Sequence, residues 1–404
     1  MSCSYRVVAA IVAVLAWAGS VSPVAAQGDS AVQAPFHAGP VGLTPMINLR
    51  NVGWDSNVYN LTKDSDPRSD FTTDLSPAVD AAMRSPRLNL SAHSQWDYYY
   101  FNRASSLRAL DADQSGRVEV TLNRLSPYVR GSWLTTRHRQ NLEIEALVRR
   151  TNHNFEGGTY VRLSAKTFVG VYGGRSAVDY DGSAIFRSTE LAPALNHTSV
   201  HAGAALRYQA TPLTTFAVDV TRARNRFESS AERDADSWRI GPTVEFKPLA
   251  LISGSASIGF QRVKFRDARQ PEFKSMVATA NLQYVRGQTQ VAVTGQRSLE
   301  YSYLETQVDY VYAGLSTTVT HRMNERWDLV GIVGRFGLGY RRRELANLQA
   351  AVPTQTLWNY GTSLGYHFGR HRVGFDVDHN HRAADVRAFE YERLRVSSSL
   401  TYMF

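Results

Sequence analysis

The sequence predicts an all-β chain that forms a single transmembrane antiparallel up-and-down β-barrel of about 18 strands, with 16 as the second choice. Three observations support this fold. Apolar and polar side chains alternate along most of the chain, short turns recur about every 40 residues, and longer polar stretches lie between them. Because side chains of a strand point alternately to its two faces, such strands have one apolar and one polar face.

The N-terminal residues 1–26 have the pattern of a secretory signal, with Arg6 followed by an apolar stretch from Val7 to Ala18. This stretch is too short to span a bilayer, and small residues precede the expected cleavage point after Ala26. We therefore expect export by the general secretory route. The only cysteine, Cys3, lies within the signal, so the mature chain is expected to contain no disulfide.

The segment 27–43 is expected to be a short periplasmic tail, and residues 44–404 to be the barrel. Eight short turns and nine longer loops give nine hairpins, with both chain ends on the periplasmic side. The first strand is expected at 44–59 and the last at about 389–404, closing on each other. This arrangement leaves no room for a plug, a passenger or a separate periplasmic domain.

Most of the predicted strands split into an apolar and a polar parity, as Val118 and Val120 do against Arg117 and Glu119. The alternation is weaker at 168–176 and 310–320. Pro242 falls inside a strand, where we expect it to remove one ladder bond or to mark a bulge. The stretch 142–154 can be either a long loop or an extra extended segment.

Aromatic residues recur on the apolar parity at the periplasmic ends of strands. This placement predicts an interfacial girdle. Its predicted members are Tyr208, Phe246, Tyr284 and Phe368.

The charge of the chain is basic, and 40 of its 45 basic residues are Arg. The formal net charge is +9, and removal of Arg6 with the signal leaves +8. Two interpretations remain open: a GC-rich genome, or arginines that line a pore and contact carboxylates, sulfates and sugar hydroxyls. The charge favours anionic solutes or contact with anionic lipopolysaccharide.

Barrels of this size generally enclose an aqueous channel. The mixed charge on the polar parity suits a polar pore, although the same residues can instead pair across the lumen. The predicted pore-lining residues are Arg117, Glu119, Arg130, Arg207, Asp219, Arg239, Glu245, Arg335, Arg341, Asp376, Asp378, Arg382, Arg393 and Arg395.

The last strand, with Leu400, Tyr402 and Phe404 on one parity, resembles the C-terminal strand of bacterial outer-membrane β-barrels. The resemblance implies that these three residues are an assembly signal for the barrel-assembly machinery, and that the protein lies in the outer membrane of a Gram-negative-type bacterium. The chain as a whole resembles the β-barrel porins associated with exopolysaccharide export, with the phrases 53–59 and 175–181 as points of similarity. That likeness implies a polysaccharide exit with polysaccharide-export components as partners.

Two other functions remain. A general diffusion porin for small hydrophilic or anionic solutes would fold a long loop into the lumen, but the candidate loops 181–196 and 142–154 are modest in length. An outer-membrane enzyme such as a phospholipase needs a Ser–His–acid set. His379 and His381 share a strand face, yet two histidines make a weak metal site. We expect no enzyme activity, cofactor, metal or nucleic-acid partner, and we expect contacts with outer-membrane lipids and lipopolysaccharide.

Overall fold

The computed structural model describes residues 34–137, 141–145, 147–247, 250–304, 307–340 and 354–404. Its main sheet is a closed antiparallel barrel, as the sequence predicts. The wall has 18 strands, which are numbered in chain order: β1 Val41–Asp55, β2 Asp70–Arg84, β3 Leu88–Phe101, β4 Ala109–Val120, β5 Leu125–Thr136, β6 Arg150–Arg162, β7 Thr167–Tyr180, β8 His197–Thr211, β9 Thr214–Phe227, β10 Ala235–Phe246, β11 Ile252–Phe265, β12 Phe273–Arg286, β13 Thr289–Tyr301, β14 Asp309–Arg322, β15 Trp327–Tyr340, β16 Thr354–Phe368, β17 His371–Ala384 and β18 Tyr391–Met403.

The barrel closes where β1 pairs with β18, with Ile47 opposite Tyr402 and Leu49 opposite Leu400. Every strand is antiparallel to both neighbours, so all backbone ladders run within the wall. Short connections follow the even-numbered strands at one rim, here called the turn rim. Longer connections lie at the opposite rim, called the loop rim. The predicted topology of nine hairpins is therefore confirmed.

The chain enters the barrel slightly earlier than the sequence suggests. β1 runs from 41 to 55 rather than from 44 to 59, and β18 from 391 to 403 rather than from 389 to 404. A short strand, Phe36–Ala38, turns back through Gly39 and pairs with the start of β1. Gly39 has φ +60°, a conformation that glycine adopts without steric cost. Residues 1–26, the expected signal, lie outside the described residues.

Two local irregularities affect the ladders. β1 has a bulge at Arg50–Val52, where Asn51 takes φ +53° and its side-chain nitrogen bonds the carboxylate of Asp74. The pairing of β10 with β11 is interrupted at Gly241 and Pro242 but continues in the same register beyond them. Pro242 therefore interrupts the ladder without a bulge, which decides between the two expectations for this residue.

The outer surface of the wall has a broad apolar belt, as a surface in contact with lipid must have. Large exposed side chains such as Trp96, Phe155, Phe216 and Phe375 alternate with residues that point inward. None of the helices in the described ranges is long and apolar enough to span a membrane.

The predicted girdle and the C-terminal residues lie at the turn rim on this outer face. Tyr208, Phe368, Tyr402 and Phe404 are all exposed. Tyr402 stacks on His371 with ring centroids 4.1 Å apart, and Phe404 meets Tyr402 edge to face at 4.8 Å. Phe246, Tyr284 and Leu400 share the same outward parity in β10, β12 and β18.

Most of the buried apolar residues lie inside the barrel, near the loop rim, rather than between two layers. They form three larger clusters, in which side chains of the loops pack on inward side chains of the wall. A fourth, smaller cluster joins the first two long loops around Val58, Ala104 and Leu107. The loop-rim half of the lumen therefore has a packed core, as a soluble domain would.

Candidate functional site

The inner face of the wall is the candidate site, and most of the predicted pore-lining residues lie on it. These are Arg117, Glu119, Arg130, Arg207, Asp219, Arg239, Glu245, Asp376, Asp378, Arg382, Arg393 and Arg395. Arg341 lies outside the described residues. Arg335 is a wrong assignment, because it shares the outward parity of Leu329 and Val333 and its guanidinium lies 5.4 Å from the ring of Trp358.

On the wall from β4 to β10, arginines pair with glutamates close to the turn rim. Arg117 donates to Glu119 at 2.8 Å, Arg130 to Glu156 at 2.6 Å and Arg207 to Glu245 at 2.9 Å. Each pair is largely shielded from solvent. Each of these arginines is therefore engaged with a carboxylate of the wall.

Tyrosines lie among these pairs. The rings of Tyr128 and Tyr160 stack at 5.6 Å, with Arg117 over the first ring at 4.2 Å and Arg207 over the second at 4.9 Å. Tyr172 faces the lumen nearby and bonds Thr221 at 2.7 Å. Flat aromatic and guanidinium faces thus alternate along this part of the inner wall.

The wall from β1 to β4 is acidic on its inner face. Its described inward carboxylates are Asp55, Asp70, Asp74, Asp80, Asp97, Asp111, Asp113 and Glu119. Arg50 and Arg117 face the lumen in the same sector, and Arg50 lies 3.4 Å from Asp97. The sequence-based set contained only Glu119 from this group. The signal was present, because polar residues at every second position of 70–80 include three aspartates.

Basic residues border this sector on the other side. Arg393 of β18 forms an ion pair with Asp55, and Arg395 lies 3.0 Å from Asp378 of β17. The composition suggests an excess of arginine in the lumen, but the described inner face of β1–β4 does not have one. The inner face is divided into an acidic sector and a basic sector.

The loop between β5 and β6, described at 141–145 and 147–149, is called the inward loop because these residues contact the opposite wall across the lumen. Glu143 accepts a hydrogen bond from the Tyr340 hydroxyl at 2.8 Å and another from the Ser302 hydroxyl. Glu145 lies 2.6 Å from Arg382, which also donates to the backbone oxygen of Leu142 at 2.5 Å.

The side chain of Asn141 shapes the tip of the inward loop. Its oxygen accepts hydrogen bonds from the backbone nitrogens of Glu143 at 3.0 Å and Ile144 at 2.6 Å. An asparagine that bonds the backbone two and three residues later holds a tight turn. The turn presents Glu143 and Glu145 to the opposite wall and keeps Ile144 fully buried.

Glu143 is almost completely shielded from water although it belongs to a loop. Burial raises the pKa of its carboxyl to about 7, while hydrogen bonds from Ser302 and Tyr340 act in the opposite direction. The charge of this contact therefore changes within the physiological pH range.

Apolar contacts hold the inward loop as well. Ile144 and Val148 pack on Leu191 and Leu195, which belong to the short helix Leu191–Leu195 in the loop 181–196. Leu142 packs among Tyr310, Tyr340 and other side chains of β14–β16. Two loops and the far wall thus share one buried interior.

The hairpin of β13 and β14 bends into the lumen at the loop rim. The pairing of β12 with β13 extends only to Ala278 opposite Arg297. Beyond that level Leu299 and Val311 of the hairpin pack on Phe273 and Val277, whose side chains point inward from β12. The hairpin therefore leaves the wall and fills part of the lumen.

Arg297 lies where β13 leaves β12. Its guanidinium donates to the Ser275 hydroxyl at 2.9 Å and to the backbone oxygen of Met276. The side chain thereby supplies a hydrogen-bond donor to a backbone carbonyl at the level where the ladder between the two strands ends.

Other loops contact one another across the mouth. Arg233 donates to the backbone oxygen of Leu304 at 2.9 Å, and Ser230 to that of Pro193 at 2.8 Å. Arg187 reaches Ala388 at 3.1 Å, and its guanidinium lies 3.7 Å from the ring centre of Phe389. The mouth at the loop rim is therefore narrowed by several loops held together by direct contacts.

The loops expected to be modest in length nevertheless reach across the mouth and the lumen. The stretch 142–154 is divided: 142–149 belongs to the inward loop and β6 begins at Arg150. The described part of the loop contacts the connection between β13 and β14 at Ser302 and Tyr303, and it contacts β15 and β17 at Tyr340 and Arg382. Chain length alone therefore underestimated the reach of the loop.

The two histidines considered as metal ligands lie on the outer face of β17. His379 stacks on Tyr360, with ring centres 6.4 Å apart. Within the ranges that the structure describes, no group of three or more His, Cys, Asp or Glu side chains has an arrangement that fits a metal ion.

The model of one protein family, described as "Putative beta-barrel porin 2", matches residues 37–404. The chain belongs to this family. It is therefore a β-barrel porin, and its place is the outer membrane. The turn rim of the porin faces the periplasm and the loop rim faces the cell exterior.

Solved structures similar to the porin include OpdK of Pseudomonas aeruginosa, with 12% identity and a TM-score of 0.47 over 90% of this chain and 99% of that chain. A BenF-like porin of Pseudomonas fluorescens Pf-5 has 11% identity and a TM-score of 0.47, over 90% and 98% of the two chains. OccAB3 of Acinetobacter baumannii has 10% identity and a TM-score of 0.46, over 90% and 99%. A search of curated proteins gave no match.

Proposed function

We propose that the porin admits small hydrophilic solutes, and that the inward loop forms the constriction that limits their size. The observation that carries the proposal is the attachment of Glu143 and Glu145 to the far wall through Tyr340 and Arg382. A loop fixed at both its ends and its tip divides the lumen, so the remaining passage is narrower than the barrel.

The charges of the lumen favour small cations over anions. The inner face of β1–β4 carries more carboxylates than guanidiniums, whereas several arginines of the wall from β4 to β10 are paired with glutamates. Rings of acidic side chains favour cations in pores. The composition suggests a preference for anions, whereas the charges of this inner face favour cations.

The test is to release the inward loop from the wall. In the double variant Tyr340→Phe/Arg382→Gln, the hydrogen bond to Glu143 and the ion pair with Glu145 are lost. We expect a higher single-channel conductance in planar bilayers and faster swelling of proteoliposomes in larger sugars. Arg335→Gln, on the outer face, is the matched control and should leave both unchanged.

Equal conductance and equal sugar cut-off in the double variant and in the parent would contradict a constriction role for the inward loop. The charge preference is measured separately, as the reversal potential in a KCl gradient. A reversal potential whose sign indicates preference for chloride would overturn the proposed cation preference. It would not affect the proposal that the inward loop forms the constriction.

Export of an exopolysaccharide is the second candidate. It is supported by the sequence resemblance and by the tyrosines Tyr128, Tyr160 and Tyr172 on the inner wall, because aromatic faces can stack on sugar rings. Passage of a polymer requires the loop contacts at the mouth to open together. Deletion of the gene, followed by measurement of surface polysaccharide, tests this candidate; an unchanged amount excludes it.

The ends of the chain carry two further proposals. We propose that residues 1–26 are removed after export, and that Leu400, Tyr402 and Phe404 are read by the barrel-assembly machinery. The outward position of the last three side chains at the turn rim supports the second proposal. N-terminal sequencing of the protein from outer membranes tests the first, with Gln27 expected as the first residue.

A further inference from the structure

The outer face of the barrel carries a compact group of basic side chains near the loop rim. This group, called the outer basic patch, extends over β7 to β12. Its members are Arg175, Arg222, Arg224, Arg226, Arg262, Lys264 and Lys274. They point away from the lumen, and most of them are exposed.

The strand registers align these residues in two adjacent rows. In the upper row Arg224 lies opposite Asp236, which lies opposite Lys264. In the lower row Arg222, Trp238 and Arg262 are aligned, and Lys274 follows opposite Arg262. Trp238 is half exposed, and its ring centre lies 5.5 Å from the Arg222 guanidinium.

The outer basic patch lies just above the apolar belt. The next outward row toward the periplasm contains Ile240, Phe260 and Met276, all exposed, and these residues are aligned by the same registers. Tryptophan at the upper edge of such a belt is typical of the membrane interface. The patch is therefore at the depth of the lipid headgroups of the outer leaflet.

The positive charge of the patch is only partly compensated. Arg226 lies 2.8 Å from Asp236, while Arg262 and Lys274 share Glu272. Among the described residues, no carboxylate lies within 4.0 Å of Arg222, Arg224 or Lys264. Three exposed cations, Arg222 and Arg224 on β9 and Lys264 on β11, therefore lie in the two rows without a carboxylate in ion-pair range.

The rest of the outer wall differs from this sector. The described outward positions of β1–β6 include no Lys or Arg, and those of β14–β18 include only Arg335. Arg297 of β13 is engaged with Met276. A general excess of arginine in the chain does not explain such a one-sided distribution.

We propose that the outer basic patch binds the phosphorylated headgroup of an acylated glycolipid in the outer leaflet, with its acyl chains against the apolar row below. Phosphate groups match the planar, multidentate guanidinium, and lipid chains match Ile240, Phe260 and Met276. A second copy of the chain would have to supply an acidic outer surface. The outward acids of the described strands are few, and one of them, Asp236, lies within the patch itself. Charge complementarity therefore favours the lipid.

The experiment uses the refolded full-length porin and lipid A as the probe, in a form with two phosphates and in a dephosphorylated form. The variant is Arg222→Gln/Arg224→Gln/Lys264→Gln. The matched control is Arg87→Gln/Arg326→Gln, which removes cations from two periplasmic turns. Lipid retained through detergent exchange is measured by native mass spectrometry, and folding is verified by the heat-dependent mobility shift of the barrel.

We expect the parent and the control to retain lipid A with two phosphates, and the patch variant to retain it at least about tenfold less. Each cation near an anionic surface contributes roughly fivefold to binding, which sets this scale. Conductance should be unchanged, because the patch faces away from the lumen.

Equal retention by the folded patch variant would overturn the proposal. It is also overturned if dephosphorylated lipid A is retained equally well, or if phosphatidylglycerol is retained as strongly, since the phosphorylated glycolipid would then not be the specific ligand. Self-association of the parent through this face, lost in the patch variant, would assign the surface to a second copy instead.

Discussion

Glu143 makes the position of the inward loop dependent on pH. Its pKa in the docked loop is about 7, above the ordinary value of 4.5. Docking therefore takes up a proton between these values, and the docked state is most favoured below pH 4.5 and loses stability as pH rises toward 7. We expect the channel to spend more time in a high-conductance state at pH 8 than at pH 5, measured in planar bilayers.

Glu143→Gln should remove most of this pH dependence, because the amide keeps the shape of the side chain but does not titrate. Asp181→Asn is a suitable control, since Asp181 is an exposed loop residue whose side-chain hydrogen bonds are with Ser183, and the substitution leaves its backbone bonds in place. A pH response that is unchanged in Glu143→Gln, or one of opposite sign, would contradict this role of Glu143.

The residue scale also shows what parity can and cannot predict. Most lumen residues could be assigned because their strands have one clearly apolar parity. In β15 both parities contain apolar residues and glycines, as in Val333, Gly334 and Phe336, so Arg335 was placed on the wrong face. Asp97 and Asp113 were missed because polar residues occupy both parities around them.

At the scale of elements, the approach of β10 to β11 depends on a glycine. A Cβ on Gly241 would collide with the carbonyl oxygen of Ile258 and the Cα of Gly259. Gly241→Ala should therefore lower the free energy of unfolding by about 1–3 kcal/mol, the usual cost of overpacking. Urea unfolding of the refolded porin in vesicles measures this change.

Gly331 in β15 is the matched control, because an added Cβ there would meet no heavy atom within 4 Å. Gly331→Ala should be neutral or stabilise slightly, since alanine restricts the unfolded chain more than glycine does. Equal destabilisation by both substitutions would show that the close approach at Gly241 is not the cause.

The second prediction at the scale of elements concerns Arg297, which lies where β13 separates from β12. Arg297→Ala removes the donors to Ser275 and to the Met276 carbonyl. We expect faster amide hydrogen exchange in residues 273–278 and 297–301, corresponding to a loss of about 1–3 kcal/mol for charged hydrogen bonds. The substitution Arg335→Ala should not alter exchange there, and equal acceleration by both would disprove a local role.

Turns and strand order were predictable because each depends on local chemistry. The inward loop was not, because its conformation is set by contacts with residues about 160 to 240 positions away in the chain, such as Ser302 and Arg382. The sequence contained one hint: Leu142 and Ile144 are apolar residues in a loop, and such residues need a buried partner.

At the scale of the whole molecule, a change in the last strand should affect membrane insertion more than it affects the pore. Removal of Phe404 deletes an outward aromatic at the periplasmic rim and leaves every described lumen contact in place. We expect several-fold less folded protein in outer membranes, whereas the protein that does insert should have the parental conductance. Normal amounts in the membrane would contradict the proposed assembly signal.

The overall fold was predictable because closure, strand number and rim asymmetry all follow from periodicity. The distribution of charge was not, since composition reports the sum over the inner face, the outer face and the turns. The acidic sector of β1–β4 and the outer basic patch became visible only when strand registers placed residues around the barrel.

The packed interior beneath the mouth has a thermal consequence. Lipid contact stabilises the outer wall, but the clusters around Ile144, Leu142 and Val263 are held together by exclusion of water. This contribution weakens on cooling, and its loss increases the heat capacity. The mouth should therefore loosen at low temperature while the wall stays intact, so that flux through the porin falls less steeply on cooling than diffusion in water predicts.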